Sequence, residues 1–206
     1  FANTTGSSNT SIGQSSMYNN TTGFSNTSIG QSTLFANISG NNNVAIGFDA
    51  GSSLVSGTNN IIIGTSSQAS TTSTNNEITL GNTSISTLRC AVTTITGISD
   101  ARDKKEIELL DSGLLFVDQL KPVKFVWNMR DGGKVDIPEM GFIAQDLKQV
   151  QEDTGITIPN LVYESNPDRL EVSYGTLLPI LVKAVQELSL KVTSLETQLN
   201  ELKPGP

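Results

Sequence analysis

The sequence predicts two unlike parts in one chain. Residues 1–85 read as an all-β repeat of the parallel β-roll or β-helix kind, with a 17-residue period. From residue 99 an α+β domain follows, ending in a long coiled-coil helix, and the whole is expected to be oligomeric. Three observations predict this. Glycines recur at a fixed spacing through the first part. Charge is nearly absent before residue 99 and abundant after it. Apolar residues near the C-terminus repeat at alternating spacings of three and four.

The repeat is marked by "NTSIG" ending at Gly13 and Gly30, "NVAIG" at Gly47, "NIIIG" at Gly64 and "NEITLG" at Gly81. Seven residues before these marks lie Gly6, Gly23, Gly40, Gly57 and then Thr74. A fixed period without insertions signals a solenoid, in which each unit buries its face only against its neighbours. The unit is short and rich in Ser, Thr and Asn, which are poor helix formers, so β coils are expected. The apolar residue of each "SIG" is expected to point inward, with Gly or Asn taking positive φ at the corners. Each coil offers little apolar surface, often one Ile and a partner such as Met17, Leu34 or Leu54. Packing between copies is expected to supply the missing burial. A low-complexity linker is the plain alternative, but linkers keep no strict period. The Asn-X-Ser/Thr sequons at Asn9, Asn26, Asn37 and Asn82 arise from composition. The unit resembles the head repeats of trimeric autotransporter adhesins, which form stacked parallel β-rolls.

Residues 86–98 break the period. "ISTLRCAVTTITG" alternates and is expected to form a strand and junction. Cys90 cannot form an intrachain disulfide, being the only cysteine, and is expected as a small buried apolar side chain.

The remainder reads as a compact domain over 99–175 and a helix over 176–206. "DSGLLFVDQL" (111–120) is expected as a short helix, "KPVKFVWN" (121–128) as a strand, and "DGGK" (131–134) as a turn. Trp127 is expected in the core. "MGFIAQ" (140–145) reads as a buried strand end leading into a helix, and 161–173 as a hairpin. Leu178, Leu181, Val185, Leu188, Val192, Leu195, Leu199 and Leu202 then form a heptad seam. Pro179 falls in the first turn, where its missing N–H costs little. Roughly 25 residues make a rod about 37 Å long. Its stripe packs either on its own domain or in a parallel oligomer, and the heptads alone leave dimer and trimer open. "KPGP" is expected to stop the helix.

Composition narrows function. The net charge of −7 resides mostly after Ser99, where 12 Lys/Arg meet 18 Asp/Glu. Neither part has the basic face of a phosphate-backbone binder, so nucleic acid is not an expected partner. No run of 18 apolar residues exists, so no membrane span is expected. A first residue of Phe1 rather than Met suggests a fragment. Histidine is absent, which removes Ser-His-Asp and Cys-His catalysis and the commonest metal ligand. No metal or cofactor is expected. Any base must be Lys, Asp, Glu or Tyr.

Four ordered motifs carry a second resemblance. They are Ser99-Asp100-x-Arg102-x-Lys104-x-x-Ile107, "LKPVKFVW", "GFIAQDL" and "LEVSYGTLLPILVKAVQEL". Together, over 99–202, they are similar to the C-terminal intramolecular chaperone of phage tail spikes and fibres, the peptidase S74 family. That resemblance implies a homotrimer on the virion. Its C-terminal part would guide folding of the β fibre before it, then cut itself off and be released in the host cell. The implied scissile bond is Ile98–Ser99, with Ser99 as nucleophile and Lys104 as base; Asp100, Arg102 and Gln145 are possible supporting residues. The trimer seam is implied at Leu181, Val185, Leu188, Val192, Leu195, Leu199 and Leu202. A host surface receptor or glycan is a possible partner of the fibre part. Many members have an apolar residue before the lysine. Asp103 stands there in this chain and would favour the charged, less basic form.

The chemistry is sound in general terms, because a serine hydroxyl needs a base and a lysine serves when neutral. Arg102 and Lys105 are the expected like-charge neighbours. Positions 99 and 104 lie on opposite faces of a strand and about 140° apart on a helix. The pair therefore meets only across a turn or between two chains, and completion of the site by trimer assembly is the expectation. The plain reading of Ser99 is a helix N-cap with Asp100 in the first turn. The competing function is a surface adhesin whose C-terminal trimerisation domain stays attached and cuts nothing. An ice-binding solenoid would need regular Thr pairs on a flat face, and the Thr positions vary from coil to coil.

Overall fold

The computed structural model describes residues 3–91, 95–111 and 113–202. It divides into two compact units, one of residues 1–89 with 126–138, the other of 90–125 with 139–206.

The first unit is a solenoid. Five short strands, β1 (Thr10–Ile12), β2 (Thr27–Ile29), β3 (Val44–Ile46), β4 (Ile61–Ile63) and β5 (Ile78–Leu80), stack in order as one parallel sheet. The register advances one coil per strand, so Ser11 faces Ser28 and Ala45 faces Ile62. Asparagine sets this register. The residue before each of the first four strands is Asn9, Asn26, Asn43 or Asn60, and its side chain points into the coil stack. Asn9 Oδ1 accepts the Asn26 N–H, Asn26 Oδ1 that of Asn43, and Asn43 Oδ1 that of Asn60, at 2.9 to 3.0 Å. Each Nδ2 donates onward to the carbonyl three residues before the next position of the ladder, as Asn43 does to Gly57 at 2.8 Å.

This ladder corrects the expected direction of the isoleucines. Strand side chains alternate sides. With the asparagine inward, the next inward position is the middle of the strand. Ser28, Ala45 and Ile62 are buried there, while Ile12, Ile29, Ile46, Ile63 and Leu80 face outward. The interior is completed by Met17, Leu34, Ala50 and Leu54. A second column of inward asparagines, Asn20 and Asn37, breaks off where the next coil has Leu54. Asn37 Oδ1 is left buried without a partner among the described residues. Asn26 and Asn37, both at sequons, are fully buried, so neither is a surface acceptor.

The corners are also broader in chemistry than expected. Glycines hold the corner after each strand, Gly30 at φ +134°, where a Cβ would collide with the Gly47 carbonyl. Serines such as Ser15 and Ser32, and even Met17 (φ 50°) and Leu34 (φ 49°), adopt the left-handed region too. Glu77 takes the asparagine's place in the last coil. Its carboxylate accepts the Ser70 N–H and the Thr79 hydroxyl, both at 2.9 Å. Burial opposes the charge there, but these bonds, led by those from Ser70, hold the carboxyl below its ordinary range.

The second unit is an ordinary α+β arrangement. Its elements are α1 (Leu114–Val117), the outer ends of the paired strands β6 (Val123–Asn128) and β7 (Val135–Gly141), whose residues 126–138 fall in the first unit, α2 (Ala144–Thr154), the antiparallel strands β8 (Val162–Tyr163) and β9 (Glu171–Val172), and α3 (Leu177–Leu202). Phe116, Leu147, Val150, Ile158, Leu161, Leu177 and Ile180 form its core. Gly155, at φ +69°, ends α2 in a left-handed cap. Trp127 lies outside that core, half-buried with the Lys134 ammonium 5.3 Å from its ring centre. β7 is exposed along most of its length rather than buried.

The described residues of 86–98 form no strand, and Cys90 is exposed, not buried. The alternating pattern needs a neighbouring strand to pair with, and no strand of the chain pairs with it among the described residues. Residues 92–94 of this junction and the terminal "KPGP" lie outside the described residues.

Candidate active site

The border serine sits at the start of a tight turn. Asp100 is the N-cap of a one-turn 3-10 helix, Ala101–Asp103, and its carboxylate accepts the Arg102 N–H at 2.9 Å. The backbone closes with Asp103 N–H donating to the Asp100 carbonyl and Lys104 N–H to that of Ala101, both at 3.2 Å. This reversal brings together two residues that neither a strand nor a helix would juxtapose. The Lys104 ammonium donates to Ser99 Oγ at 2.7 Å. Of the two routes open in the sequence, a turn within one chain is the one seen. The capping role falls to Asp100, not Ser99, which leaves the serine hydroxyl to the lysine.

The surrounding charges differ from expectation. The Arg102 guanidinium clasps Asp100 through Nε at 3.0 Å and Nη2 at 2.6 Å. That clasp, and after it the Arg102 backbone N–H, holds the Asp100 carboxyl below its usual range. Lys105 lies 3.5 Å from Glu106. Neither cation is therefore a bare like-charge neighbour of Lys104. Among the described residues Asp103 forms no ion pair with Lys104 either. Ile98, Ser99 and Lys104 are all exposed in the single chain. Desolvation is the principal way to favour a neutral lysine, and it is not supplied here by the chain itself. Gln145 lies exposed in the first turn of α2, and no hydrogen bond among the described residues ties it to Ser99 or Lys104.

The seam residues of α3 are placed away from their own domain. Leu177, Ile180 and Ala184 are the buried face of this helix. Leu181, Val185, Leu188, Val192, Leu195, Leu199 and Leu202 are 41% to 80% exposed. Packing of the seam on its own domain, open from sequence, is thus not what the chain does. The buried face is fixed by two residues that sequence reasoning passed over. Gly113 lies flat on the α3 backbone, where a Cβ would collide with Ala184 N and the Ile180 carbonyl. Glu187, flanked by Lys183, accepts the N–H groups of Gly113 and Leu114 at 3.2 and 2.8 Å, capping α1 from another helix. No local pattern signals a cap supplied from 73 residues away. The "Asp-x-Arg" cap at 100–102, by contrast, is visible once an N-cap is sought.

Residues 99–162 match the family model Peptidase_S74, chaperone of endosialidase. The match begins at the serine that opens the turn. A comparison with curated proteins found no match.

Proposed function

We propose that this chain, whose residues 99–162 form a Peptidase_S74 chaperone-of-endosialidase domain, is the C-terminal part of a viral tail fibre or spike. In this reading residues 99–202 trimerise through the α3 seam, guide folding of the solenoid, and then cut the Ile98–Ser99 bond. The observation that carries it is the 2.7 Å contact between Lys104 Nζ and Ser99 Oγ, at the residue where the family match starts.

The reaction follows from that pair. A neutral Lys104 takes the hydroxyl proton as Ser99 Oγ attacks the Ile98 carbonyl carbon. The Ile98–Ser99 C–N bond breaks, the proton passes to the departing nitrogen, and Ile98 is left as an ester on Ser99 Oγ. Water then opens the ester, giving an Ile98 carboxylate and a new amino terminus at Ser99. The exposed dyad of the single chain supplies position but no desolvation. Neighbouring copies gathered by α3 would supply the burial, so that cutting follows assembly.

The pairing of Arg102 with Asp100 and Lys105 with Glu106 favours a second reading. With its cationic neighbours occupied, the dyad would stay silent and the domain would remain as a permanent trimeric tip of an adhesin. Intact mass and a denaturing gel separate the two. Wild type is expected to yield two fragments, one beginning at Ser99, while Ser99→Ala stays whole. Wild type that stays whole as a native trimer would move the adhesin reading ahead.

A further inference from the structure

We infer that Thr74 and Glu77 form a stop that ends the solenoid one coil short of the scissile bond, and so keeps residues 82–98 free as the substrate of the cut. The inference rests on the cleavage reading above and assigns the residues that govern access to its bond. Residues 82–98, between Gly81 and Ser99, are one full period of 17. A sixth coil in register would end on Ile98 and take the Ile98–Ser99 bond to the edge of the stack. Instead, Ile95 and Ile98 are 100% and 92% exposed, and the described residues of 82–98 add no strand to the sheet.

Two departures of the fifth coil from the repeat explain this. The first is steric. A Cβ on Gly6, Gly23, Gly40 or Gly57 would collide with the carbonyl oxygen of the equivalent residue one coil on. Thr74 takes that glycine's place in the fifth coil and carries the Cβ, where the carbonyl of a sixth coil would have to lie. The second is chemical. The ladder arrives at the fifth coil when Asn60 Oδ1 accepts the Glu77 N–H at 3.0 Å, and there it turns back. At the position of Ser70, earlier coils donate to the next coil: the Asn19 N–H to the Phe35 carbonyl at 3.2 Å and the Ala36 N–H to that of Ser52 at 3.0 Å. The Ser70 N–H donates instead to the Glu77 carboxylate of its own coil at 2.9 Å, joined by the hydroxyls of Thr79 at 2.9 Å and Thr74 at 3.3 Å. Glu77 thus supplies the acceptor that a following coil would supply, and unlike asparagine it offers no amide donor to one. Solenoids end on such units, and an end whose polar groups are paired internally is a poor template for further pairing.

The test offers the stop a segment that can stack. In the full chain, residues 82–97 are replaced by a copy of residues 48–63, which carries the ladder asparagine, and Ile98 and Ser99 are kept. One version retains Thr74 and Glu77; the other carries Thr74→Gly and Glu77→Asn, the residues of the coils above. Hydrogen exchange is followed on both with Ser99→Ala added, which keeps the chain whole, and cutting is timed on a denaturing gel without it. With the stop removed, the amides of the copied segment are expected to exchange at least ten-fold more slowly than with the stop in place, and cutting to slow at least ten-fold. Equal protection of the segment in both versions overturns the inference, and so does protection gained on removal of the stop without slower cutting. If the unaltered chain does not cut at Ile98–Ser99, the cleavage reading fails and the control of cutting with it, while exchange still decides whether Thr74 and Glu77 end the stack.

Discussion

Inside the solenoid the buried side chains are largely Asn26, Asn43, Asn60, Ser28 and Thr33, with a thin apolar line from Met17 to Ile62; inside the C-terminal unit they are Phe116, Leu147, Leu161, Ile180 and their neighbours, without a buried polar side chain among the described residues. One region is held by hydrogen bonds that repeat from coil to coil, the other by the removal of apolar surface from water. The difference teaches where each is fragile. A packed core fails by losing volume. A polar ladder fails by leaving its neighbours unpaired.

The largest expected effect is in the core. Phe116→Ala should destabilise the C-terminal unit by about 3–5 kcal/mol, read as an earlier denaturant midpoint for that unit's transition. In the ladder, Asn43→Ala should cost roughly 2–4 kcal/mol, because the Asn60 N–H and the Gly57 carbonyl lose their partners. Asn43→Leu should do no better than Asn43→Ala, although it restores volume. A full rescue by leucine would erase the distinction between the two interiors.

Acid should act on both regions with a smaller effect. Glu187 is held below its ordinary value of 4.5 by the Leu114 N–H first and that of Gly113 next, with Lys183 adding to it. Glu77 is lowered as well, against its burial, by the hydrogen bonds from Ser70, Thr79 and Thr74. A lowered carboxyl contributes stability that is complete above the ordinary value. It is lost as pH falls through the lowered one. Protection of the amides in α1 and in coil 70–81, measured relative to intrinsic exchange at each pH, should therefore fall below about pH 4.5. Glu187→Gln should remove that acid dependence in α1 alone, and Glu77→Gln in the last coil alone.

Much of this was legible in the sequence. The period of 17, the five strands, the elements of the second unit and the exposed apolar stripe of α3 all follow from spacing, because spacing is what those structures repeat. The direction of the isoleucines was not. Both Asn43 and Ile46 are candidates for the interior, they lie on opposite sides of one strand, and only the ladder of amide bonds decides between them. At the site, Ser99 and Lys104 were identified by resemblance, and spacing showed that a turn or a second chain was needed. Which of the two applies depends on the Asp100 cap. The paired state of Arg102 and Lys105 was hidden because side-chain partners two or one residues apart follow from the turn's shape, not from composition. Glu187 was hidden because its partners are distant in the chain.

The most direct test of whether assembly completes the site is the cleavage rate of a chain that cannot trimerise. Leu188→Lys together with Leu195→Lys places charges on the seam without touching the α3 face that packs on α1. Its native mass is measured by light scattering and its cutting by a timed denaturing gel beside wild type. The expected result is a folded monomer that stays whole while the wild-type trimer cuts at Ile98–Ser99. A monomer that cuts at the wild-type rate would contradict it, and would place the entire site in the single turn of residues 99–104.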